Sequence, residues 1–180
     1  MRKTYNERIR ELREDHDYTQ AYICLLYTSV SAVANGGNLM KPYLVKQLID
    51  DDGNIVKTTE PTVVRQVISK ETSDTVRMLL ENAVTNGSGQ NAYIKGYRVA
   101  GKTGTSEKIP RGNGKYIASF VGFAPANDPK VACLVMLDEP SNGEYYGGRI
   151  AAPVVGKIME DTLPVSYTHL DVYKRQGHIC

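Results

Sequence analysis

The chain has 180 residues, 41% of them hydrophobic, which is enough apolar content to bury the core of one ordinary domain. Its 22 Lys and Arg residues against 20 Asp and Glu give a net charge of +2, which argues against the strongly basic surface of a nucleic-acid or anionic-membrane binder. Apolar stretches fall short of the roughly 20 residues of a membrane-spanning helix, and the three cysteines lack metal-ligand spacing. We therefore expect no membrane segment, no nucleic-acid partner, no metal and no cofactor.

Residues 1–23 are predicted to form a charged amphipathic helix, with Ile9 and Leu12 on one face. The stretch from Asn6 to Gln20 resembles the opening helix of lambda-repressor-like helix-turn-helix regulators. A helix-turn-helix needs a second helix that reaches base edges, and none follows Gln20. A solvated helix is the favoured interpretation, and a DNA-binding regulator built on residues 1–23 is kept as an alternative function.

Two short segments differ in character from the rest of the chain. Cys24–Ser29 and Val165–Gln176 resemble translated sequencing adapters, which carry no fold information. The sequence therefore divides into an unrelated leader at 1–29, one globular segment at 30–163, and an appended tail at 164–180.

The first elements of the globular segment are short. Residues 30–34 are predicted to end a helix that Asn35-Gly36-Gly37 breaks. Residues 43–49 and 63–68 are predicted strands, and Asp52-Gly53 predicts a hairpin turn after the first of them.

A longer helix is predicted to begin after Ser69, its N-cap, and to end near Asn86-Gly87. Apolar residues recur along it at three- and four-residue steps and form one stripe: Val76, Leu79, Leu80, Ala83 and Val84. We expect this stripe to face the core.

Three strand-like runs follow at 97–105, 116–123 and 130–137, and antiparallel pairing of neighbours is the simplest arrangement. A final helix is predicted at 148–162, with Pro153 tolerated near its start. Its apolar side is predicted to contain Ala151, Val154, Val155, Ile158 and Met159.

Residues Gly96 to Thr103 fit the phosphate-loop pattern G-x-x-x-x-G-K-[ST], so a nucleotide-binding protein is a second alternative. Leu134–Asp138 would supply the apolar strand ending in Asp that accompanies such a loop. A phosphate loop passes directly into a helix, however, and here glycines and a proline follow Thr103 within a dozen residues. Tyr97 and Val99 also alternate with smaller or polar neighbours, as in a strand, and the strand is favoured.

Lys102-Thr103-Gly104 matches the third active-site motif of serine acyl-transfer enzymes that act on penicillin and peptidoglycan. On a strand, Lys102 would hold an ammonium beside a nucleophile and a substrate carboxylate. Thr103 and Thr105 would offer hydroxyls to that carboxylate, and Gly104 would let the substrate lie against the strand edge. The backbone N–H of Thr105 is a candidate oxyanion donor.

Several segments around this motif identify a family resemblance. They are Ala34–Gly37 with Lys41-Pro42, Gly96–Thr105, Ser119–Pro125 and Tyr146–Gly148 through Pro153. With them, residues 30–163 resemble the C-terminal half of the transpeptidase domain of class B penicillin-binding proteins, closest to the septal and sporulation-specific ones.

The resemblance implies an α+β fold, an antiparallel sheet flanked by helices, as part of the penicillin-binding protein and serine β-lactamase-like fold. The Lys102–Gly104 strand would lie at the sheet edge and line the cleft. It also implies the reaction, in which a serine attacks the D-alanyl-D-alanine end of a stem peptide and passes the acyl group to an amine on a second strand. β-Lactams acylate the same serine because they mimic that peptide.

The family also needs Ser-x-x-Lys for the nucleophile and its base, and Ser-x-Asn for a further substrate contact. No serine of the chain has Lys at the third following position or Asn at the second. We therefore expect a catalytically incomplete fragment that keeps Lys102, Thr103, Gly104 and Thr105, forms no acyl-enzyme, and exposes an apolar face where the missing half would pack. The family is membrane-anchored with an extracytoplasmic catalytic domain, and this chain shows neither anchor nor signal peptide.

Two remaining groups have competing interpretations. Asp138-Glu139 before Pro140 predict a turn rather than a pair of acid–base catalysts. Tyr145-Tyr146 are predicted to pack at the entrance of the final helix, with a cleft-lining role as the alternative.

Overall fold

The computed structural model describes residues 28–164. The predictions for residues 1–27 and 165–180, including the helix-turn-helix resemblance and the adapter-like tail, lie outside these described residues. The chain divides into two compact units. Within the described range, the first contains residues 28–32 and 38–67, and the second contains 33–37 and 68–164.

The first unit contains two separate antiparallel pairs of short strands. Strand β1 (Asn38–Met40) pairs with β4 (Val63–Gln66), and β2 (Gln47–Ile49) pairs with β3 (Ile55–Thr58). Strand β2 is shorter than the predicted 43–49, because the chain is irregular before Gln47.

The predicted hairpin turn joins β2 to β3. Gly53 adopts φ +85°, a conformation that favours glycine. The Asp50 carboxylate accepts hydrogen bonds from the backbone N–H groups of Asn54 at 2.7 Å and Asp52 at 3.1 Å, and so closes the turn. The Asp-Gly signal alone was therefore enough to locate this hairpin.

The second unit combines helices with a three-stranded sheet, which confirms the predicted α+β class. In chain order it contains helix α1 (Lys70–Thr85), a short 3-10 helix (Gln90–Ala92), strands β5 (Ala100–Glu107), β6 (Tyr116–Ala124) and β7 (Val131–Asp138), and helices α2 (Gly147–Ile150) and α3 (Ala152–Thr162).

Helix α1 begins as predicted, with the Ser69 hydroxyl accepting a hydrogen bond from the Thr72 backbone N–H at 3.2 Å. The predicted apolar stripe is wrong in part, because Leu79 is 58% exposed. The buried residues of the helix are Ser73, Glu81 and Val84, which lie on one side of a 3.6-residue helix. Leu79 lies on the other side, and the polar pair is tolerated inside because both side chains have hydrogen-bond partners.

Strands β5, β6 and β7 form an antiparallel sheet in that order, as predicted, with β5 at one edge. Strand β5 begins at Ala100 rather than Tyr97, because Gly96 turns at φ +88° and Tyr97 N–H bonds back to the Ile94 carbonyl. Lys102 and Thr103 lie inside this eight-residue strand, and no helix follows them. The phosphate-loop alternative is therefore wrong.

One face of this sheet packs against the helices. Phe120, Val84, Met159 and Leu163 are fully buried there, and alternate residues of β7 pack beside them: Val131, Cys133, Val135 and Leu137.

The predicted final helix is interrupted at Ala151, so that α2 and α3 are separate. Val155 and Met159 face the core, whereas Val154 and Ile158 are exposed, contrary to the predicted apolar side. Since helix α3 advances about 100° per residue, Val154 and Ile158 lie at the border of its buried face.

The outer side of α1 is not covered, since Met78 and Leu79 are 61% and 58% exposed. No helix among the described residues has the length and apolarity needed to cross a membrane. Within residues 28–164, no three His, Cys, Asp or Glu side chains come together as a metal site.

Candidate active site

The outer edge of β5 carries the Lys-Thr-Gly motif. Lys108 N–H donates to the Lys115 carbonyl at 2.8 Å, and this pair continues the register that runs from Glu107 and Tyr116 along the strand. Hydrogen-bonded and non-hydrogen-bonded pairs alternate in an antiparallel ladder. The backbone N–H and C=O groups of Thr103 and Thr105 therefore point away from β6, toward the strand's outer edge, where they can bind an extended ligand.

The Lys102 side chain is exposed at this edge. Its Nζ donates to the Thr103 carbonyl at 2.8 Å and to Thr103 Oγ1 at 3.3 Å. No carboxylate within residues 28–164 forms an ion pair with this ammonium. The site thus holds a positive charge that an incoming carboxylate can neutralise.

Gly147, the first residue of α2, packs directly against the strand that carries the motif. Its backbone N–H donates to Thr105 Oγ1 at 3.1 Å. A Cβ at Gly147 would overlap the carbonyl oxygens of Ser119 and Gly104, so only glycine permits this approach. Because Thr105 Oγ1 accepts from the backbone, its single hydroxyl proton can be donated to a ligand.

The neighbouring Gly148 extends the same contact toward the turn that follows α1. A Cβ there would lie 2.5 Å from the Ser88 carbonyl oxygen, and the Gly148 carbonyl accepts a hydrogen bond from Asn91 Nδ2 at 2.8 Å. Ser88 Oγ in turn lies 3.2 Å from Thr103 Oγ1. Sequence reasoning missed Ser88 and Asn91, although the glycines that flank Ser88 were a signal of close backbone packing.

The sheet itself requires glycine at Gly101 but hardly at Gly104. A Cβ at Gly101 would meet the Phe120 ring at 2.5 Å and the Val121 backbone oxygen at 2.8 Å. A Cβ at Gly104 would lie 2.5 Å from Ser119 Oγ on the adjacent strand, but that oxygen ends a side chain that can rotate away.

Residues 26–160 match the family model described as the penicillin-binding protein transpeptidase domain. The chain belongs to this family. It is 47% identical over 140 residues to stage V sporulation protein D of Bacillus subtilis, covering 76% of this chain and 22% of the relative. It is 36% identical over 159 residues to the peptidoglycan D,D-transpeptidase FtsI of Buchnera aphidicola, covering 86% of this chain and 26% of the relative.

Among solved structures, penicillin-binding protein 3 of Mycobacterium tuberculosis, complexed with ampicillin, is similar with a TM-score of 0.69 and 28% identity. That match covers 82% of this chain and 35% of the solved one. The chain thus spans about a quarter of the length of these two curated relatives.

Three tyrosines of this penicillin-binding protein domain cluster where β6 begins and before α2 begins. Tyr116 and Tyr145 stack with ring centroids 4.1 Å apart, and the Tyr145 and Tyr146 rings follow at 4.6 Å. Tyr146 directly precedes α2, at the predicted helix entrance, and it is 53% exposed. The hydrogen bond to Tyr146, together with the neighbouring phenols, raises the pKa of Tyr145 to about 12.

Asp138 is the last residue of β7, and Glu139, which adopts φ +46°, bends the chain directly after it. Lys108 Nζ lies 2.8 Å from a carboxylate oxygen of each, and Lys115 lies 3.1 Å from Glu139. The Lys108 ammonium, and after it that of Lys115, lowers the pKa of Glu139, while the two carboxylates raise the pKa of Lys108. These acids are engaged in an ion-pair cluster, which favours the turn over a catalytic pair.

Proposed function

We propose that residues 30–163 supply the Lys-Thr-Gly wall of a peptidoglycan D,D-transpeptidase active site. The observation that carries this proposal is the exposed Lys102 ammonium, which no carboxylate of the described residues neutralises, beside outward-facing backbone groups of Thr103 and Thr105. The ligand of this wall is the D-alanyl-D-alanine end of a stem peptide, and β-lactams bind as its mimics. The M. tuberculosis relative complexed with ampicillin supports this ligand class.

In this proposal each residue has a separate role. Lys102 provides positive charge for the substrate carboxylate and for the serine oxygen as it attacks. The hydroxyls of Thr103 and Thr105 donate to the same carboxylate, and the Thr105 backbone N–H donates to the oxyanion of the tetrahedral intermediate. Gly104 keeps the edge free of a side chain, so that the substrate backbone can approach.

The serine nucleophile is not among these residues, because no serine of the 180 belongs to a Ser-x-x-Lys motif. The chain by itself therefore forms no acyl-enzyme. We further propose that the leader before residue 26, where the family match begins, and the tail at 164–180 take no part in the Lys-Thr-Gly wall. The family resemblance supports a membrane-anchored parent protein with its catalytic domain outside the cytoplasm.

Two experiments test this proposal. The 180-residue chain is incubated with a fluorescent penicillin and denatured, and we expect no labelled band; a band that survives denaturation would refute the missing nucleophile. Residues 30–163 are then placed in the B. subtilis relative instead of its own matching segment, and we expect the penicillin to label this chimera.

The chimera also measures the role of the motif. Lys102→Ala in the chimera should slow acylation by roughly 100-fold, the scale of losing one preorganised electrostatic contact. Lys157→Ala, which removes an exposed cation on α3, is the matched control and should label normally. Equal labelling of all three proteins would remove Lys102 from the active site.

A further inference from the structure

Ser88 lies beside the motif without belonging to any of the family segments that the sequence identifies. Its hydroxyl oxygen is 3.2 Å from Thr103 Oγ1, and Lys102 Nζ is 3.3 Å from the same oxygen. Thr103 Oγ1 therefore has two neighbours, one of which can only donate.

We infer that Ser88 is a positioning residue that directs the Thr103 hydroxyl proton toward the substrate carboxylate; this inference rests on the proposed function. A threonine hydroxyl has one proton and two lone pairs. When Lys102 and Ser88 both donate to Oγ1, its two lone pairs are filled. The proton then points away from both donors and is available to a ligand.

The turn that carries Ser88 is held firmly enough for this role. Gly87 and Gly89 flank it, and Gly89 N–H donates to the Ala83 carbonyl at 2.9 Å. A Cβ at Gly87 would lie 2.9 Å from that carbonyl oxygen, and one at Gly89 would lie 3.1 Å from the Phe120 ring. The turn is thus packed between the end of α1 and the core.

Gly148 fixes the same turn from the other side. Its Cα lies so close to the Ser88 carbonyl that a Cβ would come within 2.5 Å of the oxygen. Asn91 Nδ2 donates to the Gly148 carbonyl at 2.8 Å, which connects α2 to the 3-10 helix that follows the turn. Ser88 is therefore held on both sides while its hydroxyl faces Thr103.

The test is a titration of the full 180-residue chain, followed by ¹H–¹⁵N NMR, with N-acetyl-D-alanyl-D-alanine and with its C-terminal amide. Ser88→Ala should weaken binding of the acid by about threefold to tenfold, as expected for one hydrogen bond to a charged group, and should lower the ratio of acid to amide affinity. Ser88→Thr retains the hydroxyl and should restore both. Ser106 is an exposed serine of β5, the strand that carries Thr103. Ser106→Ala is therefore the matched control and should leave both affinities unchanged.

A double-mutant cycle separates positioning from a general loss of structure. In a Thr103→Val background, Ser88→Ala should have no further effect on the acid, because the hydroxyl through which Ser88 acts is gone. Equal losses for acid and amide, or the same loss in the Thr103→Val background, would overturn the inference. Binding of neither ligand by the unaltered chain would instead refute the proposed function, and with it the role of Ser88.

Discussion

The backbone N–H of Gly147 donates to the Thr105 hydroxyl oxygen at 3.1 Å across 42 residues of sequence. This contact joins the start of α2 to the edge strand of the sheet. The two backbones approach so closely that residue 147 has no room for a side chain. A substitution at Gly147 therefore tests directly whether this contact supports the motif.

Gly147→Ala should destabilise the chain by about 2 kcal/mol or more, since its Cβ would overlap the carbonyl oxygens of Ser119 and Gly104, which belong to backbone and cannot rotate away. Chemical denaturation measures the free energy of unfolding. Gly112→Asn is the matched control: Gly112 has φ +85° with nothing near its Cβ position, and Asn tolerates that conformation. A Gly147→Ala chain as stable as the control would contradict this packing.

The partly buried ion pair between Glu81 and Arg98 should contribute more to stability than an exposed pair. Arg98 Nε and Nη2 each donate to a different Glu81 carboxylate oxygen at 2.7 Å, and Glu81 is 7% exposed. Glu81→Ala removes a buried carboxylate from a guanidinium whose side chain is 32% exposed, so we expect a loss of about 2 kcal/mol. Glu160→Ala, which breaks an exposed pair with Lys157, should cost less than about 0.5 kcal/mol in the same denaturation assay.

Stability should fall in acid partly through Glu139. The hydrogen bonds from Lys108, then Lys115, lower the pKa of Glu139 in the folded chain. Its contribution is therefore complete above the unfolded glutamate pKa of about 4.3 and is lost as the pH falls through the lower folded pKa.

Glu139→Gln should accordingly flatten the decline of the melting temperature below about pH 5, where the carboxylate of the unfolded chain starts to protonate. The melting temperature is followed from pH 7 to pH 2 at low salt. Asp51→Asn, which removes a charge that has no ion pair among the described residues, controls for net charge. If the melting temperature falls equally steeply below about pH 5 in Glu139→Gln and in the unaltered chain, Glu139 does not contribute to acid unfolding.

Tyr145 should ionise only in strong alkali, near its pKa of about 12. The hydrogen bond to Tyr146 is the first cause, because the Tyr145 hydroxyl donates in it and loses the bond on ionising. Tyr146→Phe should therefore bring the pKa of Tyr145 down toward the ordinary phenol value of about 10. The pKa of Tyr145 is measured by NMR after ¹³C labelling of the tyrosine ring carbon that bears the oxygen. Tyr43 belongs to the other compact unit, so Tyr43→Phe is the control and should leave the pKa of Tyr145 unchanged.

Local signals in the sequence were sufficient for several elements. Ser69 located the start of α1 because an N-cap acts through its own neighbours, and Asp52-Gly53 located the β2–β3 turn for the same reason. Leu79 was misplaced because a helical stripe gives periodicity but not which polar residues find buried partners. Glu81 is inside because Arg98, 17 residues away, pairs with it.

By itself, the sequence determined the family resemblance, the three-stranded antiparallel order and the absence of Ser-x-x-Lys, since each depends on residue types and their spacing. The tertiary structure confirmed that Lys102 and Thr103 lie within the edge strand that the sequence favoured, which ended the phosphate-loop alternative. It also brought Ser88 and Gly147 to that strand from distant positions, and joined Asn91 to Gly148. Such contacts depend on backbones that approach too closely to leave room for a Cβ. No local pattern along the chain specifies which distant segment will pack against a given glycine.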